Sequence, residues 1–205
     1  EWLYVPAVEL IMHGYVMLLP FLKRERAAER PRLLAILAVR VAAFATLGWF
    51  APKALALYVL AYLIMLHVLR FADAYQHTYD AFAVLEDGAD IPHDKLRDRA
   101  YEQANTYTNV VSVAHPWLNV LLLNFPYHNA HHERPIVPWH DLPALHAQLF
   151  PSDYVQVLPM ATLLRGYHRH RIARIVSDDY GEVGEGPDKA ERFLGAVGVS
   201  FLTAV

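Results

Sequence analysis

Long apolar runs dominate the first third of the chain. Residues 33–50 contain one charged side chain, Arg40, and residues 54–71 contain Arg70 near their end. About twenty apolar residues cross a bilayer as a helix, so the two runs predict a transmembrane hairpin over 33–71. Arg40 would have to face protein or water, or the first helix would have to be shorter than its apolar run. The alternative is a soluble helical bundle whose core contains two very apolar helices.

The stretch before the hairpin has a different pattern. Residues 2–21 are mostly apolar but include Glu9 and His13, which lie on one face of a helix. The sequence therefore predicts an interfacial or partly buried helix here rather than a full span. The basic segment 23–32 has the composition of a cytoplasmic loop. A hairpin that leaves this side returns to it, so we expect the chain after residue 71 to lie in the cytoplasm.

After residue 71 the chain becomes more polar, and the apolar stretches become shorter. Residues 116–123 are too short to span a bilayer, and residues 177–205 form an acidic linker and a tail without a recognisable motif. The predicted fold class is all-α: an integral membrane helical hairpin, with cytoplasmic and interfacial helices that carry a histidine-rich site within residues 72–176. The helices predicted in that region cover residues 95–113, 141–150 and 158–176.

Composition narrows the possible functions. Hydrophobic residues make up 55% of the 205 positions and charged residues 19%, with a formal net charge of −3. The chain has no long basic tract with interleaved aromatics, so nucleic acid is not an expected partner. It also has no cysteine, which excludes disulfides, Cys-ligated zinc and thiol catalysis. A metal site would have to use histidine and carboxylate ligands.

Three histidines stand close together after the apolar stretch 116–123. His128, His131 and His132 form an H-x-x-H-H pattern. On a helix, His128 shares a face with each of the other two, whereas His131 and His132 diverge by about 100° and can serve two metal ions. A histidine-rich surface turn is the alternative. Zinc hydrolysis is poorly supported because the H-E-x-x-H pattern is missing.

A second candidate follows the hairpin directly, in the stretch DAYQHTYD. Asp73, His77 and Asp80 are spaced four and three residues apart, so a helix would place both carboxylates beside the imidazole. Either carboxylate could bind a metal or accept the hydrogen bond that fixes the imidazole tautomer. An ordinary hydrogen-bonded cluster without a metal is the alternative.

Both histidine segments resemble parts of the membrane-bound fatty acid desaturase family. HNAHHERPIVPWHDLPALH, residues 128–146, resembles the last histidine box of the family, and residues 101–124 resemble the segment that leads into it. AYQHTYD, residues 74–80, resembles the element that follows the last transmembrane helix and supplies a further iron-binding histidine. The similarity covers about residues 33–146.

The resemblance implies a di-iron centre on the cytoplasmic side of a helical membrane domain. It assigns direct contact with iron to four histidines, His77, His128, His131 and His132. Three residues are candidates for orienting these ligands because of their spacing from them: Asp73, Asp80 and Asn124, the last one helical turn before His128.

The implied reaction introduces a double bond into an acyl chain of a membrane lipid or fatty acid, with dioxygen and external electrons. The electrons would come from another protein, because the sequence contains no G-x-G-x-x-G nucleotide motif. The resemblance implies a ferredoxin or a cytochrome b5 type donor with its reductase. A lipid hydroxylase or ketolase on the same scaffold is one alternative. A non-catalytic membrane module that binds a metal is the other.

One departure from the family pattern is large. The family also has an H-x-x-x-H type box and an earlier H-x-x-H-H box before its second membrane hairpin, whereas only His13 precedes residue 33 here. Because the chain starts at Glu1 without a methionine, we expect these boxes to lie upstream. Residues 1–205 would then be a single desaturase-like domain without its N-terminal portion, with a partial metal site and no activity alone. A degenerate enzyme is the rival expectation.

Overall fold

The computed structural model describes residues 1–79, 93, 96–177, 179–186 and 188–196, together with the backbone of 83–84 and 203–204. The regular secondary structure of these residues consists of helices apart from one pair of parallel two-residue strands and isolated β-bridges, which confirms the all-α prediction. The chain divides into two compact units, Glu1–Leu69 and Arg70–Val205. The helices are α1 (Tyr4–Leu22), α2 (Arg30–Phe50), α3 (Pro52–Asp73), α4 (Arg99–Ala104), α5 (His128–Glu133), α6 (Leu142–Leu149), α7 (Met160–Arg169) and α8 (Ala173–Val176), with 3₁₀ helices at Ala27–Glu29 and Pro116–Leu122 and strands β1 (Ala83–Val84) and β2 (Thr203–Ala204).

The first unit contains the apolar helices. Helices α2 and α3 occur where the hairpin was predicted, and both are long and apolar enough to cross a membrane. Helix α2 buries no side chain and continues through Arg40, which is exposed, so the helix is not shortened there. An apolar helix without buried side chains suits a membrane environment, in which Arg40 would have to face protein or water.

Helix α1 also has the length and composition of a membrane span, which the prediction of an interfacial helix did not anticipate. The polar residues that argued against a span have local partners. Glu9 is buried, its backbone carbonyl lies 2.7 Å from Nδ1 of His13, and its carboxylate lies 3.7 Å from the same atom. The end of α1 is tied to the start of α2, because Nε of Arg30 donates to the Pro20 carbonyl at 2.6 Å.

The prediction of a helix over 95–113 is wrong beyond Ala104. Helix α4 begins after Asp98, which accepts a hydrogen bond from the Tyr101 N–H at 2.7 Å, and the chain from Thr106 onward is extended. Three backbone N–H groups there bond to distant segments instead of to the helix. The bonds are Tyr107 to Gln76 at 2.8 Å, Thr108 to Gln156 at 3.0 Å and Asn109 to Pro126 at 3.0 Å. The Thr and Val residues of this run favour extended backbone.

The predicted helix over 158–176 is interrupted. It consists of α7 and the short α8, separated by residues 170–172. The interruption turns the Arg174 side chain inward, where it is buried. The helix predicted over residues 141–150 is confirmed as α6, and the short apolar stretch 116–123 contains a 3₁₀ helix.

Two clusters of buried apolar side chains organise the second unit. The Tyr75 cluster includes Tyr75, Tyr107, Leu163, Tyr167 and Phe193, and the Tyr127 cluster includes Val110, Tyr127, Ala130, Leu142 and Leu145. Phe193 belongs to the segment predicted to be a tail without a motif, yet it is fully buried. The chain near residue 193 is therefore part of the core of this unit.

Candidate metal centre

The structure brings the two histidine segments together. The Nε2 atoms of His77 and His128 lie 2.9 Å apart, and the ring of His132 is centred 4.8 Å from His77 and 4.7 Å from His128. One nitrogen of each imidazole lies within 4.8 Å of the others. His77 and His128 are only 2% and 4% exposed. Three imidazoles therefore converge on one buried point.

Helix α5 sets the geometry of the second histidine segment. It is a short helix whose first residue is His128, and His132 follows one turn later on the same face. His131 diverges, as its helical position predicts. Its ring is centred 5.7 Å from His128 and 6.0 Å from His132, and it is packed against Phe125 at 4.8 Å. His131 thus lies next to the three-histidine group but outside it.

Thr106 fixes the tautomer of His77. Its hydroxyl donates to the Glu102 carbonyl at 2.7 Å, so the same oxygen can only accept from Nδ1–H of His77, at 3.3 Å. The proton therefore resides on Nδ1, and the lone pair of Nε2 faces His128. The Tyr79 hydroxyl lies 3.3 Å from the Thr106 oxygen and can donate to it.

The three residues expected to orient the ligands have different surroundings. Asp73 forms an ion pair with Arg70 at 3.6 Å, on the last turn of α3. Asn124 is buried in the turn before α5 with φ of 53°, and its backbone N–H donates to the Asn119 carbonyl at 2.9 Å. Asp80 lies outside the described residues. The acceptor for Nδ1 of His77 is the hydroxyl of Thr106.

Burial keeps the three imidazoles neutral. It lowers the pKa of His77 to about 3 and that of His132 to about 4, with smaller contributions from neighbouring imidazoles, chiefly His132 and His131. The pKa of His128 lies well below its usual value for the same reason. A metal binds imidazole through an unprotonated nitrogen, so these groups can bind one at neutral pH without releasing a proton.

The model of the fatty acid desaturase family matches residues 1–163. The chain belongs to the fatty acid desaturase family. No curated protein and no solved structure matches the chain significantly. The matched range contains the apolar helices, the three-histidine group and His131, so the resemblance in the sequence is confirmed at the level of the family. Family membership implies an oxidoreductase with an acyl or lipid substrate.

The donor set of this fatty acid desaturase chain fits iron, the metal of its family. Nitrogen ligands suit redox-active iron better than magnesium or calcium, which prefer oxygen. The facing Nε2 atoms of His77 and His128 are buried polar groups that a shared cation would satisfy. Nδ1 of His128 is also buried, and no described residue hydrogen-bonds to it. His77, His128 and His132 are the residues that would bind the ion.

Asn129 is a site residue that the sequence analysis missed. Its side chain is fully buried, and its amide nitrogen donates to the Thr106 carbonyl at 2.7 Å. Its amide oxygen accepts from the Thr108 hydroxyl at 2.9 Å. These bonds attach α5 to the extended segment that orients His77. In the sequence, only the position of Asn129 between His128 and His131 indicated a role at the site. Its hydrogen-bond partners could not be predicted, because they lie more than twenty residues away.

Proposed function

We propose that the chain is the histidine-rich part of a membrane-bound acyl desaturase, an oxidoreductase that forms a double bond in an acyl chain. The observation that carries this proposal is the convergence of His77 with His128 and His132 in a member of the desaturase family. Hydrolytic zinc sites commonly include a carboxylate, whereas the described three-residue group here consists of imidazoles. Uncharged nitrogen donors suit a metal that changes its oxidation state.

The four histidines divide between two ions. His77, His128 and His132 would bind one iron, and His131, which diverges from them on α5, would contribute to the second. A second ion needs further ligands beyond His131, so these residues supply only part of a di-iron site. We therefore expect this chain to be inactive on its own.

Desaturation converts two adjacent methylene groups, dioxygen, two electrons and two protons into a double bond and two waters. The iron, when bound, supplies the dioxygen chemistry. The residues of this chain supply neutral imidazoles, hold their tautomers and exclude water through burial of His77 and His128. The electrons come from an external ferredoxin or cytochrome b5 type donor.

The location of the site follows from the same pattern. Three helices have the length and composition of membrane spans. The basic segment 23–32, which runs from the end of α1 into the first turn of α2, favours a cytoplasmic position under the positive-inside rule. We place the histidine-rich region on the cytoplasmic side, where soluble electron donors and dioxygen are both accessible.

Metal binding provides the first experiment. The 205-residue chain is purified in detergent and titrated with Co²⁺ as a visible-absorbing substitute for Fe²⁺. We expect binding that becomes weaker, by at least about 10-fold, in His77→Ala, His128→Ala and His132→Ala. His140→Ala is the control, because this exposed imidazole lies beside Trp139 and Asp141 and is not one of the three converging histidines. Equal affinity in all four variants would contradict the assignment.

Product analysis provides the second experiment. The complete gene is expressed in a bacterial host, and total fatty acids are examined by gas chromatography. A new unsaturated acyl chain that disappears in His132→Ala supports a desaturase. A hydroxylated or keto product instead identifies a hydroxylase or ketolase, and bound zinc without any product identifies a non-catalytic module.

A further inference from the structure

Residues beyond the family-matched range pack on the turn that carries His77. The backbone N–H of Ala196 donates to the Ala74 carbonyl at 2.8 Å. Gly195 has φ of +72°, and a Cβ atom at this position would lie 2.5 Å from the same carbonyl oxygen. Only glycine permits so close an approach. The C-terminal segment therefore fixes the backbone shortly before His77.

Aromatic side chains join the same two segments. The fully buried ring of Phe193 makes an edge contact with Tyr75, with ring centroids 5.1 Å apart, and lies 5.2 Å from the ring of Tyr107. Tyr107 donates its backbone N–H to the Gln76 carbonyl at 2.8 Å. Close packing of this kind leaves Tyr75 and Gln76 little freedom, and these are the two residues directly before His77.

The guanidinium of Arg174 links the segments to one another. Arg174 is only 4% exposed, and its Nε donates to the Leu194 carbonyl at 2.7 Å. Its Nη2 donates to the Tyr75 hydroxyl at 2.9 Å and to the Tyr167 carbonyl at 3.1 Å, and it lies over the Tyr167 ring. A buried guanidinium is tolerated only when its hydrogen bonds are made, so each partner is held in a defined place.

We propose that Arg174 is a positioning residue for the metal site, which acts on His77 through the hydroxyl of Tyr75. The inference rests on the metal binding proposed above. On the other side, His77 forms an antiparallel bridge with Thr106, so the turn that carries the ligand is held from two directions. Residues 164–196 would then be part of the metal site's support, although they lie beyond the range that the family model matches.

Two substitutions test the proposal in the full 205-residue chain. Tyr75→Phe removes one hydroxyl and keeps the ring, and Arg174→Met removes the donors and keeps an apolar stem. Loss of a residue that orients a metal ligand directly weakens binding by about 10- to 100-fold. Since Tyr75 acts through the backbone, we expect Tyr75→Phe to weaken Co²⁺ binding by about 3- to 10-fold. Arg169→Met is the control, because Arg169 pairs with Glu191 at the surface.

A coupling measurement separates positioning from a general loss of stability. In a His77→Ala background, Tyr75→Phe should not weaken Co²⁺ binding further, because the ligand that it positions is absent. Equal losses in both backgrounds overturn the proposal, as does unchanged affinity in Tyr75→Phe. If the unaltered chain binds no Co²⁺ through its histidines, the proposed function fails and this inference fails with it. If Arg174→Met does not fold, Tyr75→Phe alone decides.

Discussion

The Nε2 atoms of His77 and His128 face each other at 2.9 Å. On the opposite side of the His77 ring, the Thr106 hydroxyl accepts a hydrogen bond from Nδ1–H. Burial keeps both imidazoles neutral. The lone pair of His77 therefore needs a donor or a cation at this point. His132 adds a third nitrogen within 4.8 Å, so a metal ion would satisfy all three groups at once.

The divergence of His131 from His132 predicts unequal effects of two neighbouring substitutions. We expect His132→Ala to weaken Co²⁺ binding by at least about 10-fold, because it removes one of three converging ligands. His131→Ala should leave the affinity within about 3-fold of the unaltered chain. Titration followed by visible absorption measures both. Equal losses would mean that all of the imidazoles on α5 bind a single ion.

Thr106→Val should weaken metal binding with little change in fold. The substitution keeps the shape of the side chain but removes the acceptor for Nδ1 of His77, so the ring loses its tautomer preference. We expect a loss of about 10-fold or more in Co²⁺ affinity. Thr78→Val is the matched control, because its hydroxyl bonds to Asn105 and not to a histidine. Similar affinities for both variants would contradict this role of Thr106.

Asn129→Ala should destabilise the second unit. It leaves the Thr106 carbonyl and the Thr108 hydroxyl without their buried partner, at a cost of about 1 to 3 kcal/mol for each unsatisfied group. Denaturant unfolding of the detergent-solubilised chain, followed by tyrosine fluorescence, measures the change. Asn105→Ala is the comparison, since its amide nitrogen donates at the exposed end of α4 and its amide oxygen accepts from the Thr78 hydroxyl, which is only partly buried. A smaller loss for Asn129→Ala than for Asn105→Ala would argue against the described network.

Acid should destabilise the chain through its buried histidines. The pKa values of His77 and His132, about 3 and about 4, lie below the ordinary value of 6.5 that applies in the unfolded chain. Between pH 6.5 and about 4 the unfolded chain binds more protons, so the free energy of unfolding decreases as the pH falls through this window. Each group contributes a slope of about 1.4 kcal/mol per pH unit.

The pH dependence is measured from denaturant midpoints in the presence of a chelator. His77→Ala should show a shallower decrease between pH 6.5 and 4 than the unaltered chain, because one titrating group is removed. A profile that is flat over this window in the unaltered chain would show that the imidazoles are more accessible to water than described.

Two glycines with similar backbone angles should differ in their tolerance of alanine. Gly195 (φ +72°) would place a Cβ against the Ala74 carbonyl, whereas Gly186 (φ +79°) has open space around it. We expect a cost of about 1 kcal/mol for Gly186→Ala from backbone strain alone. Gly195→Ala should cost about 3 kcal/mol or more because a steric clash is added. Equal unfolding midpoints would contradict the close approach of residue 195 to residue 74.

The sequence predicted the features that depend on local pattern. Continuous hydropathy identified α2 and α3, and the spacing of His128 and His132 placed their side chains on one face of a helix. The family was recognisable from the same motifs. Each of these signals is contained within a short stretch of chain. The hydropathy of an apolar run and the helical spacing of two histidines can both be read without knowing which distant residues they contact.

The features that the sequence did not predict depend on contacts between distant segments. Residues 105–109 were predicted as helix, but the backbone N–H groups of residues 107–109 pair with residues far along the chain. Thr106 and Asn129 gain their roles only from this pairing. For the same reason, the sequence predicted Asp73 or Asp80 as the hydrogen-bond acceptor for His77, whereas the acceptor in the structure is the hydroxyl of Thr106.

Since His77 and His128 are 51 residues apart, an ion that they share would act as a removable cross-link. Such an ion binds the folded chain in preference to the open one, and at a hundred times its dissociation constant it adds about 2.7 kcal/mol of stability. Iron limitation would then shorten the lifetime of the protein as well as stop its chemistry, because proteases degrade the unfolded population that the ion suppresses.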